Sequence, residues 1–408
     1  MLKKIKTSYL FLVFLSLVAI FLWTSVFNIS SSGKDKKNSQ IDNSIGDGIM
    51  SFCNNPQNAP RGKENCYSSE FRKLAEKSGP EISFSVLHYL QQLDRDAVGC
   101  HLIAHSIGKG SFKKDGDNWR GLIQKMETSC NYGAIHGVLE SYVGSLPDKS
   151  LKKDVIPSIC GENPLADCNH IIGHLLLVQT DANVKKALDL CEVLSDPRQN
   201  SFCISGVFME YQTALNLVDH ELVPETWLNW APRLGELEKL CRSFDGKYAS
   251  GCWEELPHIA LVKFQNDPKK MFDLCSTAQV PDGAKRCKRH SLGIIGASMN
   301  FDLSKMKSVC SIPQKDDSSF EEECYPAIVS SSLSTIPDAV PQAVTFCSSL
   351  DDKFQPSCFS MVGIMSFSNP KIKDALPSSC KNVKKEMKNY CLGISSYSNQ
   401  NLIKTPNN

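Results

Sequence analysis

Beyond residue 160 the apolar positions fall into a recurring pattern of one long run and one short one. The stretches CNHIIGHLLLVQTDANVKKALDLC, CWEELPHIALVKFQNDPKKMFDLC and CKRHSLGIIGASMNFDLSKMKSVC each begin with an apolar run of helical length, break at a polar turn and finish on a second, short helix ending at a cysteine. Asn183, Asp267 and Asp302 stand in the breaks, where a short side-chain oxygen caps the next helix. Pro268 follows Asp267 at the first helical position, where a missing N–H costs nothing. Each unit is therefore predicted to be helix, turn, helix, and the chain all-α.

The cysteines give the pattern its period. Cys168, Cys252, Cys287, Cys324 and Cys358 each open a unit, and Cys191, Cys275, Cys310, Cys347 and Cys380 close them at offsets of 23, 23, 23, 23 and 22 residues. From Cys203 to Cys241 the offset is 38, which places an insertion around HELVPETWLNWAP. Between units the chain runs through short loops, each bounded by the cysteine that closes one helix and the cysteine that opens the next. These bounding cysteines are predicted to pair: Cys160 with Cys168, Cys191 with Cys203, Cys241 with Cys252, Cys275 with Cys287, Cys310 with Cys324, Cys347 with Cys358 and Cys380 with Cys391. Cys53 and Cys66 obey the same rule, and elimination leaves Cys100 with Cys130 as a lateral bridge between neighbouring units. On the chain-entropy account a closed loop of this size contributes about 3 kcal/mol.

A helical repeat of roughly 33–37 residues is that of an α-solenoid. A cysteine ending one helix and a second opening the next, with glycine soon after, as in DLCEVLSDPRQNSFCISG and SICGENPLADCNHIIG, is similar to the cysteine-rich members of the Sel1-like, TPR-related repeat proteins of bacterial envelopes. The glycine-rich turn that marks Sel1 repeats is absent, and the stapled loops are mostly longer. What the resemblance implies is an extracytoplasmic adaptor-like or ligand-binding scaffold.

Composition narrows the setting. Apolar content of 41% with 22% charged residues is that of a packed chain. A net charge of +1 lacks the basic excess of a nucleic-acid binder. Lys3, Lys4 and Lys6 precede Ser8–Phe27, an uncharged apolar stretch long enough at ~1.5 Å per residue to cross a ~30 Å hydrocarbon layer. The stretch exceeds a signal-peptide core and has no convincing cleavage site after it, so it reads as an uncleaved signal anchor. All 18 cysteines lie beyond it, which argues that the bulk of this single-pass chain is extracytoplasmic, periplasmic or extracellular. The organisation expected is an anchor over 1–28, a disordered tether over 29–50, the disulfide-stapled repeat domain over 51–395 and a disordered tail over 396–408.

Histidine placement suggests chemistry. Of nine histidines, seven fall within six positions after an opening cysteine: His101, His105, His136, His170, His174, His258 and His290. His101 with His105, His136 with Glu140, and His170 with His174 are each four apart, on one helix face, at a spacing that lets two side chains share one ion. These six residues are the candidate ligands of a divalent transition metal. Glu140 doubles as the candidate general base, should a metal-bound water be used for hydrolysis. The alternative is that the histidines are hydrogen-bonded packing residues and that Gly133, Gly137 and Gly173 serve close helix contact alone. His258 with its i−4 partner Glu254 is expected to be structural, as are His88, His220 and His290. Trp227, Leu228 and Trp230 in the insertion are expected to plug a gap between repeats. No GxSxG, HExxH, P-loop or CxxCH motif occurs. The expected function is that of a membrane-anchored scaffold for an envelope protein, peptide or cell-wall ligand, with a metal-dependent hydrolase on the first three repeats as the alternative.

Overall fold

The units close their helices as their turn residues dictate. Asn183 accepts from the Lys186 N–H, Asp267 from those of Lys269 and Lys270, and Asp302 from those of Ser304 and Lys305. All three expected caps thus satisfy donors that a helix N-terminus leaves without intrahelical partners. Just before the cap, Asp181 and Ala182 in one unit and Gln265 and Asn266 in another have φ between 52° and 59°. The Ala182 N–H donates to Leu177 O at 3.1 Å, as the Asn266 N–H does to Leu261 O at 2.8 Å. Two units with different residues fold the same turn, a left-handed pair that returns a donor to the last free carbonyls of the helix.

The computed structural model describes residues 42–395 except 95, 96, 98, 99, 128, 131, 161–165, 213–233, 300, 301, 313–319 and 368. Among the described residues the regular structure is helical, with no strand. Helix α1 covers residues 42–54. It is followed by α2 (Lys63–Ser78), α3 (Pro80–Leu93), α4 (His101–Asp115), α5 (Trp119–Lys125), α6 (Gly133–Ser145), α7 (Ile156–Ile159), α8 (Ala166–Gln179), α9 (Val184–Cys191) and α10 (Pro197–Gln212). Then come α11 (Leu234–Arg242), α12 (Gly246–Glu255), α13 (Pro257–Lys263), α14 (Pro268–Cys275), α15 (Pro281–Ser298), α16 (Leu303–Cys310), α17 (Phe320–Thr335), α18 (Val340–Ser348), α19 (Gln355–Met365), α20 (Pro370–Ser379) and α21 (Lys385–Cys391).

Successive opening helices pack in a ladder: α2 on α4, α4 on α6, α6 on α8, α8 on α10, α10 on α12, α12 on α15, α15 on α17, α17 on α19 and α19 on α21. The short closing helices flank it, and one buried apolar cluster runs from Cys53 to Cys391. The arrangement is compatible with a helical-repeat architecture. The end of α17 comes back against the start of the array, where the Cys130 N–H donates to Ser334 O at 3.1 Å. The side-chain amide of Gln91 reaches Thr335 O at 3.5 Å nearby.

All 18 cysteines are bridged, in the nine pairs that their spacing predicts, Cys100–Cys130 included. So many disulfides point to an oxidising, extracytoplasmic compartment. Residues 42–50, expected to belong to a disordered tether, are helical instead. Their partly buried Ile45, Ile49 and Met50 pack on the core, Asp42 accepts from Ser85 Oγ at 2.6 Å, and Asp47 accepts from the Tyr89 hydroxyl at 2.8 Å. A polar composition hid three apolar residues spaced to face α3. Among the described residues no helix is long and apolar enough to cross a membrane. The proposed anchor over 1–28, the insertion with Trp227, Leu228 and Trp230, and the tail over 396–408 lie outside the described residues.

Glycine sets how near the opening helices come. A Cβ on Gly137 of α6 would stand 2.0 Å from the His105 carbonyl oxygen, and one on Gly108 of α4 2.0 Å from that of Ala134. Between α8 and α10 the corresponding distances are 2.1 Å from Gly173 to Cys203 O and 1.9 Å from Gly206 to His170 O. At such separations backbone meets backbone, and any side chain must push the helices apart. Gly137→Ala is therefore expected to destabilise the fold by about 1–3 kcal/mol or more, the cost of overpacking a tight interface. Chemical denaturation reads this directly, and a wild-type midpoint would contradict it.

Candidate metal centre

Three opening helices deliver five imidazoles to one place. His101 and His105 lie one turn apart on α4, His136 faces them from α6, and His170 and His174 lie one turn apart on α8. Ring centroids are 4.9 Å apart for His101 and His105, 5.1 Å for His101 and His136, and 4.9 Å for His105 and His136. The row continues from His136 to His174 at 5.3 Å and from His174 to His170 at 4.8 Å. His105, His136 and His174 are buried and His101 and His170 partly so. For His101, His105 and His136 the glycine contacts explain the convergence, because Gly137 adjoins His136 and rests on the carbonyl of His105.

Within this row, ring nitrogens of His101, His105 and His136 lie within 4.8 Å of one another. Bonds of about 2.0–2.1 Å from imidazole to a bound zinc ion would need only a small closing movement of the three side chains. The His101 Nδ1–H donates to Cys130 O at 3.0 Å. A carbonyl only accepts, so the lone pair of His101 is on Nε2. Glu210 accepts from His174 Nδ1 at 2.6 Å and orients that ring in the same way. Such carbonyl and carboxylate partners fix the tautomer and raise the basicity of a ligating imidazole.

Glu140 sits at the edge of this group. Its Oε1 is 3.7 Å from His105 Nδ1 and its Oε2 is 3.4 Å from Lys109 Nζ, with all three side chains buried. Glu140 also lines a cleft of about 410 Å³ together with Arg72, Lys109, Lys113 and Lys149. The carboxylate thus stands between the imidazoles and the outside.

Burial pushes the His136 imidazole well below its ordinary value, and the neighbouring His105, His101, His174 and His170 push it the same way. His170 is lowered to about 3, by burial first and then by His174. Rings that resist protonation keep their lone pairs for a cation.

A second convergence was not foreseen. Sequence spacing pairs His258 with Glu254, but α12 ends at Glu255 and α13 begins at Pro257, so the i−4 register does not hold. Glu254 turns instead to Arg286 at 3.0 Å. Glu255 faces His258, and His290, expected to be merely structural, lies 2.9 Å from His258 between their Nε2 atoms. Ser205 on α10 donates to Glu255 Oε1 and lies 3.2 Å from His170 Nδ1, which links this group to the first row. The position of Glu255 and of His290, each three residues after an opening cysteine, was the available signal. Glu210 and Ser205 stand on a helix without histidines and carried none. His88, expected to be structural, lies apart from both groups, paired with Glu127 at 2.6 Å.

The lowered imidazoles have a consequence for stability. In the unfolded chain a histidine takes up a proton near pH 6.5, whereas His136 and His170 stay neutral in the fold well below that. The unfolded state then binds more protons, so stability falls as pH drops below about 6.5, by up to about 1.4 kcal/mol per pH unit for each such ring. Denaturation of the metal-free protein at pH 7, 6 and 5 should show progressively lower midpoints. Equal midpoints would mean that these rings do not remain neutral.

No protein-family profile, no curated protein and no solved structure matches the chain.

Proposed function

We propose that this chain is a membrane-anchored, extracytoplasmic α-solenoid, akin to the Sel1-like and TPR-related repeat proteins, whose ligand is a divalent transition metal. His101, His105 and His136 would hold the ion, with His170 and His174 continuing the site. The observation that carries this reading is the meeting of three imidazoles from two helices with ring nitrogens within 4.8 Å. Imidazole-rich sites suit zinc and copper among the common ions. A packing role alone would not gather five polar, titratable rings into one buried row when leucine would fill the space without desolvation cost. Among the described residues this row is better defined than any surface for a protein, peptide or cell-wall ligand, which favours metal binding.

A second reading, metal-dependent hydrolysis, is favoured by one feature. Glu140 is placed both beside His105 and on the wall of the cleft, where a general base would need to meet substrate and metal-bound water.

Titration of the chelator-stripped full-length protein with zinc or copper(II) tests the first reading. Tight binding is expected, and His136→Ala should weaken it by at least the roughly 10–100-fold that loss of an outer partner costs. Binding unchanged in His136→Ala would overturn the assignment. Glu140→Gln, with metal retained, should abolish turnover of an activated phosphodiester or ester probe if the second reading holds.

A further inference from the structure

Glu255, His258 and His290 form a compact group built on three helices, the end of α12, α13 and α15. His258 Nε2 and His290 Nε2 are 2.9 Å apart, and Glu255 Oε2 lies 3.4 Å from the first and 3.6 Å from the second. Donors bound to one ion by bonds of about 2.0–2.2 Å stand roughly 3 Å apart in octahedral and 3.4 Å apart in tetrahedral arrangement. The three atoms already occupy such a triangle, without side-chain movement.

Two further observations point to a ligand. The Glu255 side chain is 1% exposed, and its Oε2, aimed into the triangle, meets the two imidazole nitrogens only at 3.4 and 3.6 Å, longer than a well-formed hydrogen bond. A buried carboxylate oxygen left this way is costly unless something occupies the space it faces. The other oxygen, Oε1, accepts from Ser205, which holds the carboxylate in place as an outer partner does for a metal ligand. The imidazoles are 20% and 29% exposed, so the triangle is closed on the carboxylate side and open to solvent on the other. An ion can reach it, and solvent can complete its coordination.

We propose that Glu255, His258 and His290 form a second metal site, separate from the imidazole trio, for a divalent first-row transition ion held on one face by two imidazoles and one carboxylate. Such a donor set is harder than three imidazoles and suits zinc, iron(II), manganese or cobalt. Binding displaces the proton shared between the two Nε2 atoms, which is released to solvent. Arg286 stays outside the group, held by Glu254 at 3.0 Å and Asp282 at 2.8 Å. The site does not rest on the reading of the first, because it shares no residue with it.

Cobalt(II) titration of the stripped full-length chain, followed by its visible absorption, gives the stoichiometry. The expected result is one more equivalent in wild type than in His290→Ala, with His136→Ala losing a different equivalent. Equal stoichiometry and affinity in wild type and His290→Ala would overturn the proposal, whatever happens at His136. A second measurement uses the unaltered protein and needs no variant to fold. Diethylpyrocarbonate should modify the partly exposed His258 and His290 in the metal-free chain, and saturating cobalt or zinc should suppress this at least tenfold. Modification at the same rate with and without metal would equally overturn it.

Discussion

The first histidine row depends on how closely the opening helices that carry it approach their neighbours. At Gly137, Gly108, Gly173 and Gly206 there is no room for a methyl group between one helix and the carbonyls of the next. Backbones this near bring side chains on the same face into contact from the first atom outward, and imidazole, short and planar, bridges from one helix to the next. Two or three residues that are far apart in sequence then share one volume. The disulfides act on a different part of the problem: eight tie helix ends together across short loops, Cys100–Cys130 bridges neighbouring units, and all nine limit the unfolded chain. They hold the array; the glycines define what happens inside it.

The two histidine groups illustrate opposite solutions to burying titratable side chains. In the first, burial drives His136 down and the neighbouring rings drive it further, so the group is electrically quiet but rich in lone pairs. In the second, burial pushes the Glu255 carboxyl up, but His290, His258 and His170 more than offset this and hold it well below the usual carboxylate range. Ser205 stands between the groups and touches both. Its single proton goes to Glu255, so it accepts from His170 and thereby fixes the tautomer of a ring in the first row. The orientation of each group is coupled to the other through one hydroxyl.

Much of this was legible in the sequence because cysteines and caps are local signals. An offset of 23 residues between an opening and a closing cysteine encodes a pair of helices of fixed length, and Asn183, Asp267 and Asp302 mark the turn within it. The pairing of Cys100 with Cys130 followed by elimination. Three helix faces carrying His101, His105, His136, His170 and His174 were also visible, since a four-residue spacing needs only a straight helix. His258 and Glu254 failed the same logic because Pro257 interrupts that helix, turning Glu254 to Arg286 and putting Glu255 in its place. Glu210 and Ser205 matter only through neighbours about thirty-five to fifty residues away, and no local pattern contains that information. Helix 42–54 was hidden by polar composition, its few apolar residues meaningful only once α3 is beside them.

The central claim is that close helix packing turns dispersed histidines into metal ligands. Diffraction from crystals of the zinc-loaded protein, collected on both sides of the zinc absorption edge, locates bound ions without reference to any variant. The account predicts an anomalous peak within about 2.2 Å of ring nitrogens of His101, His105 and His136. Loaded crystals with no peak at these imidazoles, or with zinc only at scattered surface carboxylates, would contradict it.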